Sequence, residues 1–245
     1  MKLRTVTITG ADDSISPTDL VVLTQKYPFV EWALLLSSTS IEGPCRFPSY
    51  RFPSLKWLKE LSDNTSVPLQ LSGHFCGTFV TDFIKGKLPE LDAHFPPWLW
   101  QMFQRIQINF HGVEHAPKQE FYSVLPQILK NTKKQYIFQA DNVNEDIFWG
   151  MQKRGVDAVP LFDLSHGAGV LPENWPDPLP GIKCGYAGGL GPDNLEAQIQ
   201  KIASKVGEHE IWIDMETNVR SNADKLFDLK KVEKCLEIAR PFISG

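Results

Sequence analysis

Short apolar, β-rich runs alternate with helix-periodic amphipathic segments from one end of the chain to the other. Such alternation arises when parallel strands are joined by helical crossovers. The first strand is expected over residues 4–10, where Val6 and Ile8 alternate with threonines. The first helix is expected at Ser16-Pro17-Thr18-Asp19, with serine as cap, proline at the first helical position and an acid in the first turn. Residues 30–38 are almost entirely apolar after Glu31, as befits a strand covered on both faces. A proline- and glycine-rich loop over 39–53 leads to a helix from Ser54, with Leu55, Leu58 and Leu61 on one face. Further strands are expected at 67–73, 105–110, 135–140, 158–164, 182–186 and 210–215. Further helices are expected at 78–85, 120–131, 144–154 and 229–239, with one more carrying Leu195, Ile199 and Ile202. The segment His94-Phe95-Pro96-Pro97-Trp98 reads as a short helix packed under the sheet.

Eight strands and eight helices in strict alternation are the count of a closed (β/α)8 TIM barrel of the α/β class, and 245 residues suit one such barrel. A single domain over 1–245 is therefore expected, with an open doubly wound sheet as the alternative. The net charge of -4 comes with basic residues that form no run, which discounts nucleic acid as a partner. The longest apolar stretches, such as 32–36, fall far short of the ~20 residues that cross a bilayer, and the N-terminus lacks a signal peptide's basic and apolar regions. No membrane partner and a cytoplasmic location are the expectation, as a monomer or homodimer. Cys45, Cys76, Cys184 and Cys235 stand far apart without a Cys-x-x-Cys pair, so reduced thiols are expected rather than a metal or redox motif. No cofactor fingerprint is present, and Trp98, Trp100, Phe103 and Phe110 read as core.

In a barrel, chemistry sits at the C-terminal ends of the strands and in the loops that follow. The sharpest feature there is Ala187-Gly188-Gly189-Leu190-Gly191-Pro192-Asp193-Asn194, a glycine turn between the seventh strand and a helix. Backbone N–H groups in such a turn cradle a phosphate, the alternative being a tight turn that merely needs glycine.

This turn resembles that of the phosphoribosylanthranilate isomerase family, and other segments are similar to the same family. Gln107-Ile108-Asn109-Phe110-His111-Gly112-Val113-Glu114 resembles its strand-four Gln-Leu-His-Gly-Asp-Glu segment, with one residue more. Ser49-Tyr50-Arg51-Phe52-Pro53-Ser54 is similar to its Ser-x-Arg-x-x-Ser segment, and Leu161-Phe162-Asp163 followed by Gly167-Ala168-Gly169 to its Leu-Leu-Asp and Gly-Thr-Gly. The resemblance implies an Amadori rearrangement of a phosphorylated aldose amine, as in tryptophan biosynthesis, which needs an acid for the ring oxygen and a base for the C2 proton. It places Asp163 as that acid, Arg51 on a substrate carboxylate, His111 in the pocket wall, and Asp214 beside the substrate. Each has a plainer alternative: a loop-capping aspartate for Asp163, a solvated loop cation for Arg51, a satisfied structural histidine for His111.

Two segments depart from the family. Its strand-one Lys-Ile-Cys-Gly, whose cysteine is the base, stands here as Thr7-Ile8-Thr9-Gly10, and the Thr9 hydroxyl cannot take up a C2 proton unaided. Its phosphate-binding Asp-x-x-Ser-Gly-x-Glu turn stands here as Asp214-Met215-Glu216-Thr217-Asn218-Val219-Arg220. Glu216 would repel a phosphate that it faced; Thr217 and Arg220 would offset this, and Asn218 tolerates the left-handed backbone that glycine would supply. For the missing base, Ser72-Gly73-His74-Phe75-Cys76-Gly77, read as the loop after strand three, offers His74, whose ordinary pKa lies near the working pH. Asp141 and Ser165-His166 are weaker candidates. The lead expectation is an isomerase-class enzyme on a phosphosugar. Its alternatives are another phosphosugar isomerase or lyase, and a protein that binds a phosphorylated metabolite without turning it over.

Overall fold

Eight parallel strands close on themselves in the order β1-β2-β3-β4-β5-β6-β7-β8. In the computed structural model these are β1 (Lys2–Thr9), β2 (Val30–Ser37), β3 (Gln70–Cys76), β4 (Arg105–Ile108), β5 (Gln135–Gln139), β6 (Ala158–Asp163), β7 (Cys184–Ala187) and β8 (Glu210–Met215). The structure describes residues 1–37, 51–64, 67–85, 87, 95–109, 118–140, 145–163 and 169–244. Closure comes from β1, which pairs with β2 on one side and β8 on the other. This is the (β/α)8 barrel that the sequence pattern predicts, not the open sheet.

The helices follow their local signals. Helix α1 (Pro17–Lys26) starts at a full capping box: the Ser16 hydroxyl accepts from the backbone of the first turn while Asp19 accepts from the Ser16 amide. Helix α2 (Leu55–Asp63) is capped by Ser54, whose Oγ accepts from the Trp57 amide at 3.2 Å, and buries Trp57, Leu58 and Leu61. Then come α3 (Thr78–Ile84), α4 (Pro97–Gln101), α5 (Lys118–Lys130), α6 (Glu145–Gln152), α7 (Leu195–Val206) and α8 (Leu229–Ala239).

Strict alternation fails in two places. Two helices, α3 and α4, lie between β3 and β4, and residues 169–183 contain no helix before β7. In the latter segment Pro172, Pro176, Pro178 and Pro180 remove helical N–H donors. Trp175 takes over the covering role: it is buried, donates to Gln198 Oε1 on α7 at 3.0 Å and meets the Tyr186 ring edge-on. The sequence also places β3 too early. The strand runs through Cys76, so His74 sits on the strand and not in a loop after it.

Side chains alternate across each strand, which divides the core in two. Outward residues such as Val6, Ile8, Trp32, Leu34, Ile106 and Ile213 form one cluster with the helices. Trp100 and Phe103 join it fully and Trp98 partly, as expected; Phe110 lies outside the described residues. The barrel interior holds a small second cluster of Ile137, Val159, Leu161, Ala187 and Trp212. Ala33 and Leu35 of β2 share the inward face with Glu31, and the polar side chains of the interior, Thr5, Thr7, Thr9, Glu31, Ser72, His74, Arg105, Gln107, Gln139, Asp163 and Asp214, are all at most 8% exposed.

At the N-terminal floor, Glu31 Oε1 accepts from Arg105 Nη1 and from the Thr7 hydroxyl, each at 2.9 Å. The Arg105 guanidinium lies 4.3 Å above the Trp212 ring. That indole rests on β7 at Gly185, where a Cβ would come within 2.3 Å of it. A paired charge and a stacked ring thus fill the floor, on the side away from the C-terminal ends of the strands.

Candidate functional site at the barrel mouth

A cleft of about 550 Å³, counting its opening to solvent, lies at the C-terminal ends of the strands. Its wall includes His74 of β3, Gln107 and Asn109 at β4, Gln139 of β5, Asp163 of β6, Ala187 to Leu190 after β7, and Asp214 to Asn218 from β8 onward. Asp163 and Asp214 are both in register with Ala187, one on each side of β7. They therefore sit at one height of the barrel, two strand spacings or roughly 9–10 Å apart along the sheet.

Thr9 does not line the cleft. Its hydroxyl donates to Asp214 Oδ1 at 2.7 Å and holds that carboxyl from behind. Burial pushes Asp214 up to about 8, aided by the negative charges of Glu216, Glu31 and Asp163 and opposed by the Thr9 hydrogen bond. Glu216 is also raised, by desolvation first and by Asp163 and Asp224, while Arg51 holds it down. Among the described residues three carboxyls thus converge on the mouth.

Arg51 supplies the positive charge there. Its Nη1 pairs with Glu216, its Nε with Asp224 Oδ2 at 2.7 Å, and Nη2 reaches Thr217 Oγ1 at 3.4 Å. The guanidinium that the resemblance assigns to a substrate carboxylate is therefore already engaged by two protein carboxylates. Arg220, expected at the phosphate, is turned elsewhere. It is fully buried, donates to the Gly10 carbonyl at 2.6 Å and pairs with Asp12 at 2.6 Å and Asp224 at 3.0 Å. It ties the segment after β8 to the end of β1 and does not line the cleft.

His74 is held neutral. Burial lowers its pKa to about 4, with Asp163 opposing. Its Nε2 lies 2.8 Å from Gln107 Nε2, an amide donor, so Nε2 accepts and Nδ1 carries the proton. That Nδ1 and the Oε1 of Gln139 are buried without a hydrogen-bond partner among the described residues, in the wall of the same cleft. Cys76 is no substitute base, because burial raises its thiol to about 12. It is free, as are the buried Cys184 and Cys235.

The glycine turn forms the opposite wall. Gly188 and Gly189 have φ of 117° and 64°, and a Cβ at Gly189 would come within 2.5 Å of the Leu171 amide nitrogen. The Gly189 carbonyl accepts from Asn194 Nδ2 at 2.8 Å and Asn218 Nδ2 at 2.7 Å, which pins the turn from outside. Among the described residues no hydrogen bond occupies the backbone amides of Gly188, Gly189 or Leu190. Asn218 is not left-handed; it sits in a 3-10 turn over Thr217–Val219. The left-handed residues lie further on, at Asn222, Ala223 and Asp224, in the hairpin joining β9 (Arg220–Ser221) to β10 (Leu226–Phe227). Asn218 serves instead by its side chain.

Of the residues singled out in the sequence, the structure thus brings Asp163, His74, Asp214, Gly188, Gly189, Thr217 and Asn218 onto one cleft. It sets Thr9 behind Asp214 and leaves Arg51 beside Glu216. His111, Asp141, Ser165 and His166 lie outside the described residues. Gln139 was missed: a glutamine at the C-terminal end of a strand is a signal only once the strand is known to line a barrel. Among the described residues no His, Cys, Asp and Glu grouping fits a metal ion, and no helix is long and apolar enough to cross a membrane.

No protein-family model matches the chain, and no curated protein does. Solved structures do. One, of monomers of the dimeric phosphoribosylanthranilate isomerase from Thermotoga maritima, is 13% identical, with 97% of this chain and 99% of that chain covered and a TM-score of 0.56. Another, of phosphoribosylanthranilate isomerase from the same organism, is 11% identical, with coverage of 98% and 100% and a TM-score of 0.54. At that identity the likeness is one of fold: the chain shares the (β/α)8 barrel of these isomerases over nearly the whole length of both.

Proposed function

We propose that this barrel isomerises a small phosphorylated aldose amine to the corresponding 1-amino-1-deoxyketose, with Asp163 as the acid that protonates the ring oxygen. The observation that carries the reading is the shared cleft. A strand-end carboxyl, a neutral wall of His74, Gln107 and Gln139, and the amides of Gly188, Gly189 and Leu190, which no hydrogen bond occupies among the described residues, all border one space. Such amides at the entry to α7 suit a phosphate, with the Thr217 hydroxyl beside them. A neutral donor–acceptor wall suits the hydroxyls of a sugar. In this reading Arg51 offsets the charge of Glu216 beside the phosphate, the role that the sequence assigned to Arg220.

Loss of anthranilate fluorescence on mixing the purified protein with phosphoribosylanthranilate tests the reading. Turnover well above that of Asp163→Ala is expected, and equal rates would end it. The second reading, a protein that binds a phosphorylated metabolite without turnover, is favoured by Thr9, which stands where the family's base stands. Thermal-shift screening against phosphosugars followed by product analysis separates the two, since a stabilising ligand that is recovered unchanged supports binding alone.

A further inference from the structure

The isomerisation requires a base, and the strand-one hydroxyl of Thr9 has no accessible anionic form. That hydroxyl instead spends its proton on Asp214: Thr9 Oγ1 donates to Oδ1 at 2.7 Å, and among the described residues no other hydrogen bond holds the carboxyl. Asp214 itself lines the cleft, level with Asp163 across Ala187. We propose that the Asp214 carboxylate is the base that removes the C2 proton, with Thr9 as the positioning residue that aims it. The assignment rests on the isomerase reading above.

A second feature of the same cleft points to a ligand between the two carboxyls. Among the described residues His74 Nδ1 and Gln139 Oε1 are buried and have no hydrogen-bond partner. Buried polar atoms without partners are costly, and a polyhydroxylated ligand satisfies one donor and one acceptor at once.

The protons balance. Asp163 gives its proton to the ring oxygen, the ring C1–O bond breaks, and the nitrogen lone pair forms a C1=N iminium. The Asp214 carboxylate then takes the C2 proton; the C–H pair becomes the C1=C2 bond and the iminium π pair returns to nitrogen. The resulting enol loses its hydroxyl proton to Asp163, C1 takes a proton from Asp214, and both carboxyls are restored with no outside donor.

The groups facing Asp214 are Thr9 of β1, Glu31 of β2, Asp163 of β6 and Glu216 of its own loop, with Arg51 reaching Glu216 and His74 facing Asp163. Burial and these acids place its titration at about 8, so the basic form gains population as pH rises toward that value. With phosphoribosylanthranilate as probe, wild-type kcat/KM is expected to show a limb near that value. Asp214→Asn is expected to lose roughly 10²–10⁴-fold in kcat with KM little changed. Asp214→Glu, which keeps a carboxyl, is expected to retain part of the rate with a displaced limb. Thr9→Val removes the hydrogen bond that lowers Asp214, so the limb moves to higher pH, and Thr9→Ser restores it. If Asp163→Ala is dead while Asp214→Asn stays within tenfold of wild type, or if Thr9→Val leaves the limb in place, this assignment is overturned and the isomerase reading stands. If wild type does not exceed Asp163→Ala, the reading itself falls and takes the assignment with it.

Discussion

Replacing Asp214 by asparagine is expected to stabilise the protein at neutral pH while it removes the proposed function. The carboxyl ordinarily titrates near 3.8 and here does so at about 8, chiefly through burial. Between those two values the unfolded chain carries Asp214 ionised while the native state binds a proton. The native state therefore holds more protons, and stability falls as pH rises across this window. At about 1.4 kcal/mol per pH unit, the full window sets a ceiling of roughly 6 kcal/mol on what Asp214 costs at pH 8 and above, and nothing is lost below about 4. Asparagine keeps an oxygen that accepts from the Thr9 hydroxyl and cannot ionise. Urea unfolding of wild type and Asp214→Asn at half-unit steps from pH 4 to 9 reads this directly. The two should agree at pH 4 and separate steadily toward pH 8, the variant being the more stable. A gap that is constant with pH, or one that favours wild type at pH 8, would refute the reasoning.

His74 titrates in the opposite sense. Its pKa is lowered to about 4, so the stability that comes from burying the neutral ring is complete above about 6.5 and is lost as pH falls toward 4; His74→Gln should flatten wild-type stability in that window. The imidazole NMR signals of His74 should stay in the neutral form down to about pH 5. Arg220→Met should cost about 3–5 kcal/mol in urea unfolding, because it strands the buried Asp12 carboxylate, and adding Asp12→Asn should recover much of that. Gly189→Ala and Gly181→Ala both place a side chain at left-handed φ, 64° and 72°, but only the first meets backbone within 2.5 Å. Gly181→Ala should cost about 1–2 kcal/mol and Gly189→Ala clearly more, and equal costs would show that the turn after β7 has room to give.

The fold was legible because each barrel element carries a local signal. The Ser16 box, the Ser54 cap and the glycine turn at 188–189 are all read within a few residues, and each lies where the sequence put it. The partnerships of the site were not legible, because they join residues far apart in the chain: Thr9 with Asp214, Arg51 with Glu216 and Asp224, Glu31 with Arg105. A motif names the residue type that a position needs, whereas its partner is set by barrel closure. This is why Arg220 reads as a phosphate ligand in the sequence and is an internal brace in the structure. His74 shows the converse case. Flanked by glycines it resembles a loop residue, yet Gly73 and Gly77 bracket the end of a strand, and the phenyl of Phe103 fills the space that the Gly73 side chain leaves.

The two ends of the barrel treat buried carboxyls differently, and the contrast supports the proposed site. At the floor the Glu31 carboxylate has a cation at 2.9 Å and a hydroxyl donor, and the cation is stacked on an indole, so that carboxylate is compensated, although Arg105 Nε and Nη2 and Trp212 Nε1 are buried without a hydrogen-bond partner among the described residues. At the mouth the charges of Asp163 and Glu216 raise Asp214, that of Asp163 raises Glu216, and the guanidinium of Arg51 pairs with Glu216. The threonine donor behind Asp214 fixes that carboxyl and lowers its titration without supplying a countercharge. A buried carboxyl whose titration is raised in this way, in a cleft and level with a second acid, fits proton transfer, and this supports the role proposed for Asp214 in the space bounded by Asp163 and the glycine turn.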